Sequence, residues 1–422
     1  MCNVYSYALT DYGTWTASRS TVSKSITVDT CKIYTLSLPL RYGIRIDKNE
    51  SDPYESVEYL YDAEGMTPAK MNFSAGEFEY GDWADIWFVK DNKPCMLKSN
   101  GEVDYYLNPN DYTLKEDGAN SDVANTSYDG NAMAQIPLCW VYRYEDDNYY
   151  YEIVSNEQFD ENYKAYAHTR ADGSIADYFY TSMFGASGSS SKLRSLSGQT
   201  LAQNLTLPQM VQGAQANGSN WNIDSWSRYC LIRTLLVLIS KSLDTQSSFG
   251  GGYWTANASG LLPTGTLNDK GQFFGYNNET QQVKCFHIEG LWSDQADRVL
   301  GLIENTDSFV YVKMTPEGAG YQVDNVNGYF KTALSFTSKI TAGFISKVSC
   351  SEYGMIPIAP DGSSSTYFCD FMSTNYDSGT SYSFALACMG RFGEAGASGA
   401  FMTYFRRGPA QTSWQLGCHL SF

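Results

Sequence analysis

One stretch of this 422-residue chain reads as a long helix, and its second half is apolar on every side. In "DSWSRYCLIRTLLVLISKSLDTQSSFGGG" (224–252), Asp224 stands as an N-cap. Trp226, Tyr229, Cys230, Arg233, Leu236, Val237 and Ser240 follow at helical spacing, and "FGGG" is the expected stop. Residues 235–239 are apolar all round, so this helix must be covered on more than one side. The rest of the chain can supply that cover only as sheets. It consists of short apolar and aromatic stretches broken by turn chemistry such as "SDPYES", "DNKP", "KSNGEV" and "LNPNDY". The 33 tyrosines and 36 glycines fit strands and tight turns better than further helices. The expected class is therefore mainly β (α+β) with one substantial helix.

Charge and cysteine narrow the function. A formal net charge of −17, with acids spread along the chain, would repel phosphates, so nucleic acid is not an expected partner. The most apolar stretch, "CLIRTLLVLI" (230–239), is about half the length a bilayer span needs and carries Arg233. No membrane insertion is expected. "MCNVYSYALTDYGTW" has neither the basic start nor the apolar segment of a secretory leader, and a soluble protein made in the cytosol is expected. The ten cysteines are scattered with no CxxC or zinc-like spacing and read as buried free thiols.

Along the chain, 1–40 reads as an N-terminal attachment segment and 41–127 as a small β domain. "EDGANSDVANTSYDG" (116–130) looks like the connector to a larger unit, 128–422. "AMAQIPLCWVYRY" and "NYYYEIVS" read as a strand pair around the turn "EDDN", and "KCFHIEGLW" (284–292) as a strand. The last segment, "WQLGCHLSF", puts Trp414, Leu416, Cys418, Leu420 and Phe422 on one face by strict alternation, and reads as an integral strand of a sheet.

The order "YGIRID…SDP…EGMTPA", "CMLKSNGEVDYYLNPNDY", "YDGNAMAQIPLCWVYRY", "SLDTQSSFGGG" and "GRFGEAGASGAF…WQLGCHLSF" resembles a group of bacteriophage tail-fibre and receptor-binding structural proteins. The C-terminal part, 128–422, is similar to the C-type-lectin-like fold shared by phage tropism determinants and formylglycine-generating enzymes. That fold's tail commonly has a Gly-Gly-x-Trp strand and a closing "GFR". Here Phe392 stands at the tryptophan's place and His419 at the arginine's. The resemblance implies a virion protein at a fibre or tail tip, a homotrimer with other virion subunits as neighbours, and a host surface glycan or protein as partner. It carries a receptor-contact role onto Arg391, Glu394, Thr403, Tyr404, Arg406, Arg407, Gln411, Thr412 and Ser413, and upstream onto Ser373, Thr374, Asn375, Tyr376 and Asp377.

The residues agree with a binding surface more readily than with a reaction. "FMSTNYDSGTSYS" and "TYFRRGPAQTSW" are rich in Tyr, Ser, Thr, Asn and Arg, which make adaptable contacts at small ordering cost. The glycine-rich "GRFGEAGASGAF" (390–401) between them is expected to shape an exposed hairpin. No GxSxG occurs, and the three histidines, His168, His287 and His419, stand apart. Period two would put Cys285, His287 and Glu289 on one strand face, where a metal could bind, but a satisfied sheet histidine is the simpler reading. Cys369, Cys388 and Cys418 lie late enough in the chain for the thiol chemistry of the formylglycine-generating enzymes, yet Cys388 and Cys418 fit inward sheet positions. Acids such as Asp82, Asp85 and Glu394 are too numerous to single out a glycan-cleaving pair. No catalytic residue, cofactor or metal is therefore assigned. The alternatives kept open are a decoration or connector protein without a receptor, and a formylglycine-generating-like or glycan-cleaving enzyme.

Overall fold

A helix that is apolar all round needs walls, and three sheets supply them. The computed structural model describes residues 39–253, 260–292, 295–336, 340–374, 384–389, 398–405 and 407–422. N-terminal to these it describes four strands that pair as two antiparallel hairpins, Val4–Leu9 with Trp15–Ser20 and Ile26–Val28 with Lys32–Tyr34. The protein is mainly β. Among the described residues the four α-helices are α1 (Trp87–Lys90), α2 (Leu207–Gln215), α3 (Trp226–Ser240) and α4 (Thr245–Phe249).

Fourteen of the fifteen residues of α3 are buried, Arg228 being the exception. Its leucines, isoleucines and valine are each worth about 1.5–3 kcal/mol when fully buried, which offsets the absence of any polar face. On one side stands a four-stranded antiparallel sheet in the order Trp140–Glu145, Tyr149–Ser155, Arg41–Asp47, Val57–Tyr61. A buried polar triangle fixes the helix on it. Arg143 Nε donates to Glu152 (2.7 Å), and Arg143 Nη2 donates to Thr234 (2.9 Å). Thr234 Oγ1 in turn donates to Glu152 (2.8 Å). On another side Arg233 donates to the carbonyl of Met355 and Trp226 to that of Tyr353.

The helix ends differ from expectation by a residue or a turn. Ser225, not Asp224, is the N-cap, because Asp224 turns inward to accept from Thr181. Lys241, in the left-handed region at φ 53°, stops α3. "FGGG" instead ends the short α4, whose own cap is Asp244 accepting from Ser247 N. Among the described residues no helix is long and apolar enough to cross a membrane.

The seven-stranded antiparallel sheet runs in the order Asp111–Lys115, Val103–Asn108, Lys93–Lys98, Gly130–Pro137, Tyr178–Ser182, Leu420–Ser421, Asn222–Ile223. This corrects the domain division. Strands from 41–127 and from 128–422 are hydrogen-bonded to each other in both sheets, Lys93–Lys98 to Gly130–Pro137 in this one and Arg41–Asp47 to Tyr149–Ser155 in the four-stranded one, so no boundary falls at 127. The polar segment taken for a connector is a loop inside one sheet, held by Ser121 N donating to Thr113 O and by buried Val123. "AMAQIPLCWVYRY" likewise splits. Its first half belongs to the seven-stranded sheet, and its second pairs with Tyr149–Ser155 around the expected turn.

The third sheet has the order Phe330–Ser335, Phe309–Val312, Ala296–Asn305, Phe384–Met389, Thr403–Tyr404, Phe371–Thr374, Ile340–Phe344. Leu416–Gly417 joins it alongside Ala296–Asp297 in parallel. The C-terminal alternation is therefore one sheet position followed by another. Leu416–Gly417 lies in the third sheet, the chain crosses at Cys418 and His419, and Leu420–Ser421 sits between Tyr178–Ser182 and Asn222–Ile223 in the seven-stranded sheet.

The tyrosines have a structural outlet. On the solvent side of the four-stranded sheet Tyr144 stacks on Tyr142 (4.6 Å between centroids) and on Tyr151 (4.3 Å). Gly43 opens room beside them: a Cβ there would stand 3.1 Å from Tyr61 Cδ2, so a side chain would displace the ring that covers the strand.

Candidate functional site

The glycine-rich stretch that suggested an exposed hairpin is described from Ser398 onward, and Ser398 to Phe401 are all buried. Its smallness serves a close inward approach. A Cβ on Gly399 would lie 2.6 Å from Thr245 Oγ1 and from Asp370 Oδ1. Ala400 N donates to that threonine (3.0 Å) and Phe401 N to Asp370 (2.7 Å). Burial raises the Asp370 carboxyl well above its usual range, against the pull of the Phe401 amide.

Four of the expected contact residues are corrected. Ser373, Thr374, Thr403 and Tyr404 are buried, with Tyr404 only 4% exposed. They sit in neighbouring central strands of the third sheet, where Ser373 pairs with Tyr404 and Met372 with Thr403. Tyr404 packs with Leu300, Ile303 and Leu416. A strand covered on both faces can carry hydroxyls wherever they find partners, as Thr403 Oγ1 does on Phe401 O, and in sequence such residues look like loop residues. Asn375, Tyr376, Asp377, Arg391, Glu394 and Arg406 lie outside the described residues.

Arg407, Gln411, Thr412 and Ser413 come together on one turn, where Thr412 is exposed and the other three are half-buried. That turn is gripped from beneath. Arg298, 1% exposed, donates through Nη2 to the carbonyls of Gln411 (2.8 Å) and Gly408 (3.1 Å) and through Nη1 to Pro409 O (3.4 Å). Pro409 O also accepts from Leu207 N at the start of α2, whose capping box joins Thr206 and Gln209. Gln295 donates to the carbonyls of Trp414 (2.8 Å) and Ala202 (3.0 Å), and Asn204 N donates to Ser413 O (3.2 Å). Beside the turn Gln203, Asn204, Gly260, Leu261 and Trp414 line a depression of about 390 Å³. Sequence reasoning missed Arg298 and Gln295. The signal was there: an arginine inside the apolar run "ADRVLGLIEN" has to spend its donors on something.

The groups with chemical potential are tied up in structure. "KCFHIEGLW" is a tight hairpin, not a single strand. Lys284–Cys285 and Ile288–Glu289 are its arms, and Phe286 and His287, at φ 53° and 66°, are its turn. Cys285, His287 and Glu289 therefore do not share a strand face. His287 Nδ1 meets the Tyr112 hydroxyl at 2.7 Å, and Glu289 accepts from the amides of Gly265 and Thr266. Burial lowers the neighbouring Lys284 amine and raises Glu289, each resisted by the other's charge. Among the described residues no three His, Cys, Asp or Glu side chains converge as metal ligands.

His419 pairs with Asp297 through Nδ1, and its Nε2 lies 3.0 Å from the carbonyl of Glu289. Burial opposes its charge, but the Asp297 carboxylate and that carbonyl prevail and raise it to about 9. With both nitrogens so engaged, it is a buried cation and not a general base. Cys369 and Cys418 are buried thiols whose pKa burial raises, the opposite of an activated nucleophile. No family model matches this chain, and no curated protein matches it.

Proposed function

We propose that this chain is a bacteriophage virion protein, placed at a fibre or tail tip, that adheres to a host surface without covalent chemistry. The observation that carries the reading is the gripped turn. Arg298, Gln295 and the start of α2 hold the backbone of 408–414 through buried donors, while Arg407, Thr412 and Ser413 reach the surface beside the Trp414 depression. A surface stiffened before contact loses less entropy on binding. Its chemistry, one guanidinium with hydroxyls, an amide and an indole, suits a glycan or a polar protein face. Trimerisation, with 1–40 as the attachment to other virion subunits, would present several copies and raise avidity through effective concentration. The test is adsorption of virions carrying Arg407→Glu with Thr412→Arg. Adsorption should fall at least tenfold with assembly intact, and unchanged adsorption would refute the assignment.

A second reading, a structural decoration or connector protein, gains from one observation: Ser373, Thr374, Thr403 and Tyr404 are spent on the interior. It predicts that the 407–413 turn is covered by another virion subunit, so that protease or antibody against that turn finds it shielded on intact particles.

A further inference from the structure

A cleft of about 540 Å³ opens where the 166–180 segment, the first turn of α3 and the loop 316–321 meet. It begins at Gln215, the far end of α2 from the gripped turn, and shares no residue with that turn. Its volume is that of a small-molecule site. Rings form much of its lining: Tyr178, 39% exposed, stands at the rim, and Tyr166, Tyr180 and Tyr321 are half-buried within. Between them stand amides and hydroxyls such as Asn220, Asn222 and Thr169. Rings interleaved with short polar groups match a pyranose, which has an apolar face and a polar edge.

The charge of the lining narrows the ligand. Although the chain carries a net charge of −17, the cleft's ionised lining residues include two arginines, Arg170 and Arg228. Arg228 is pre-set. Its Nη2 donates to the main-chain oxygen of Phe422 (3.1 Å), its Nε donates to the carbonyl of Ala167 (3.4 Å), and the guanidinium lies 4.9 Å over the Phe179 ring. The Asp172 carboxylate, also in the lining, accepts from Ser174 N (2.9 Å) and Ser174 Oγ (2.6 Å) within its own turn and feels the charge of Arg170. The first turn of the fifteen-residue α3 lies against the cleft at Ser225 and Ser227, whose hydroxyls bond each other (3.0 Å) and the Tyr321 hydroxyl, and its positive end adds to the field of the arginines. Asp224, just outside the lining, accepts from Thr181, and its carboxylate also supports the charge of Arg228 from behind.

We propose that this cleft binds a saccharide bearing a carboxylate, of the uronic- or sialic-acid class, with its ring against Tyr178 and its acid group held by Arg228 and Arg170. A planar carboxylate matches the guanidinium fork. The inference does not rest on the virion reading, since it uses other residues and a different region of the surface.

The test is calorimetry or ligand-observed NMR on the full chain with glucuronic acid, N-acetylneuraminic acid, glucose and glucose 6-phosphate. At least one acid sugar should bind about tenfold or more tightly than glucose and weaken as salt rises. Arg170 is exposed and makes no fold-holding side-chain bond, so Arg170→Ala should leave the protein folded and cut acid-sugar affinity about fivefold to tenfold, with little effect on glucose. Tyr178→Ala should weaken both sugars. Equal binding of glucose and the acids, tighter binding of glucose 6-phosphate, acid-sugar binding indifferent to both variants, or no sugar binding at all would each overturn the proposal.

Discussion

Replacing Arg298 by methionine should free the 408–414 turn while leaving the body of the protein folded. Among the described residues the guanidinium makes two well-formed bonds to the turn, to Gln411 O (2.8 Å) and Gly408 O (3.1 Å), and a marginal one to Pro409 O (3.4 Å). A hydrogen bond to a charged group contributes roughly 1.5–3 kcal/mol, so the two good ones give about 3–6 kcal/mol gross. Methionine refills much of the volume and removes the cost of keeping a charge buried, which returns part of that sum. The turn is also close enough to solvent for its carbonyls to find water once it lifts. A net local loss of about 2–3 kcal/mol follows, equivalent to roughly 30- to 150-fold easier opening. Amide exchange read at Gln411, whose N–H donates within the turn to Gly408 O, should accelerate by that factor, while the amides of α3 keep their protection. Unchanged exchange at Gln411 would show that the turn holds itself and that Arg298 is not its clamp.

Three further outcomes follow from buried groups. His419 is raised from the ordinary 6.5 to about 9, so its contribution is fully present below about 6.5 and lost as pH climbs through 9. Urea unfolding should show stability falling by up to about 3 kcal/mol across that window, and Asp297→Asn should flatten the slope. Glu152→Gln, which leaves Arg143 buried without its carboxylate, should cost about 3–5 kcal/mol by denaturant titration, and adding Arg143→Met should recover part of it. Gly399→Ala should cost about 1–3 kcal/mol, because its Cβ would press on Thr245 Oγ1 and Asp370 Oδ1; an unchanged melting temperature would mean that this approach is looser than described.

Period and turn chemistry made the class legible. The apolar circumference of 235–239 called for cover on several sides, and α3 is covered on several sides. What they could not convey is which sheet a strand joins. The alternation of "WQLGCHLSF" is real, but both of its faces are buried, since His419 and Ser421 find an ion pair and a carbonyl in place of water. Polar side chains satisfied inside a sheet have the same letters as those on a loop, which is why Ser373, Thr374, Thr403 and Tyr404 were misplaced outward. The residues of the 407–413 turn are singled out by the resemblance and by their polar composition, neither of which reaches its anchor, Arg298, more than a hundred residues away in sequence. Phe286 and His287 defeat local rules altogether, because bulky residues seldom take positive φ in a hairpin turn.

Adhesion through the gripped turn is tested most directly by binding the purified, labelled full-length chain to a panel of bacterial cells and immobilised glycans. Saturable binding to at least one such surface is the expected result. Arg407→Glu with Thr412→Arg should abolish it, and Arg298→Met should weaken it. A chain that binds none of these surfaces, or whose turn variants bind as well as the parent, would contradict it.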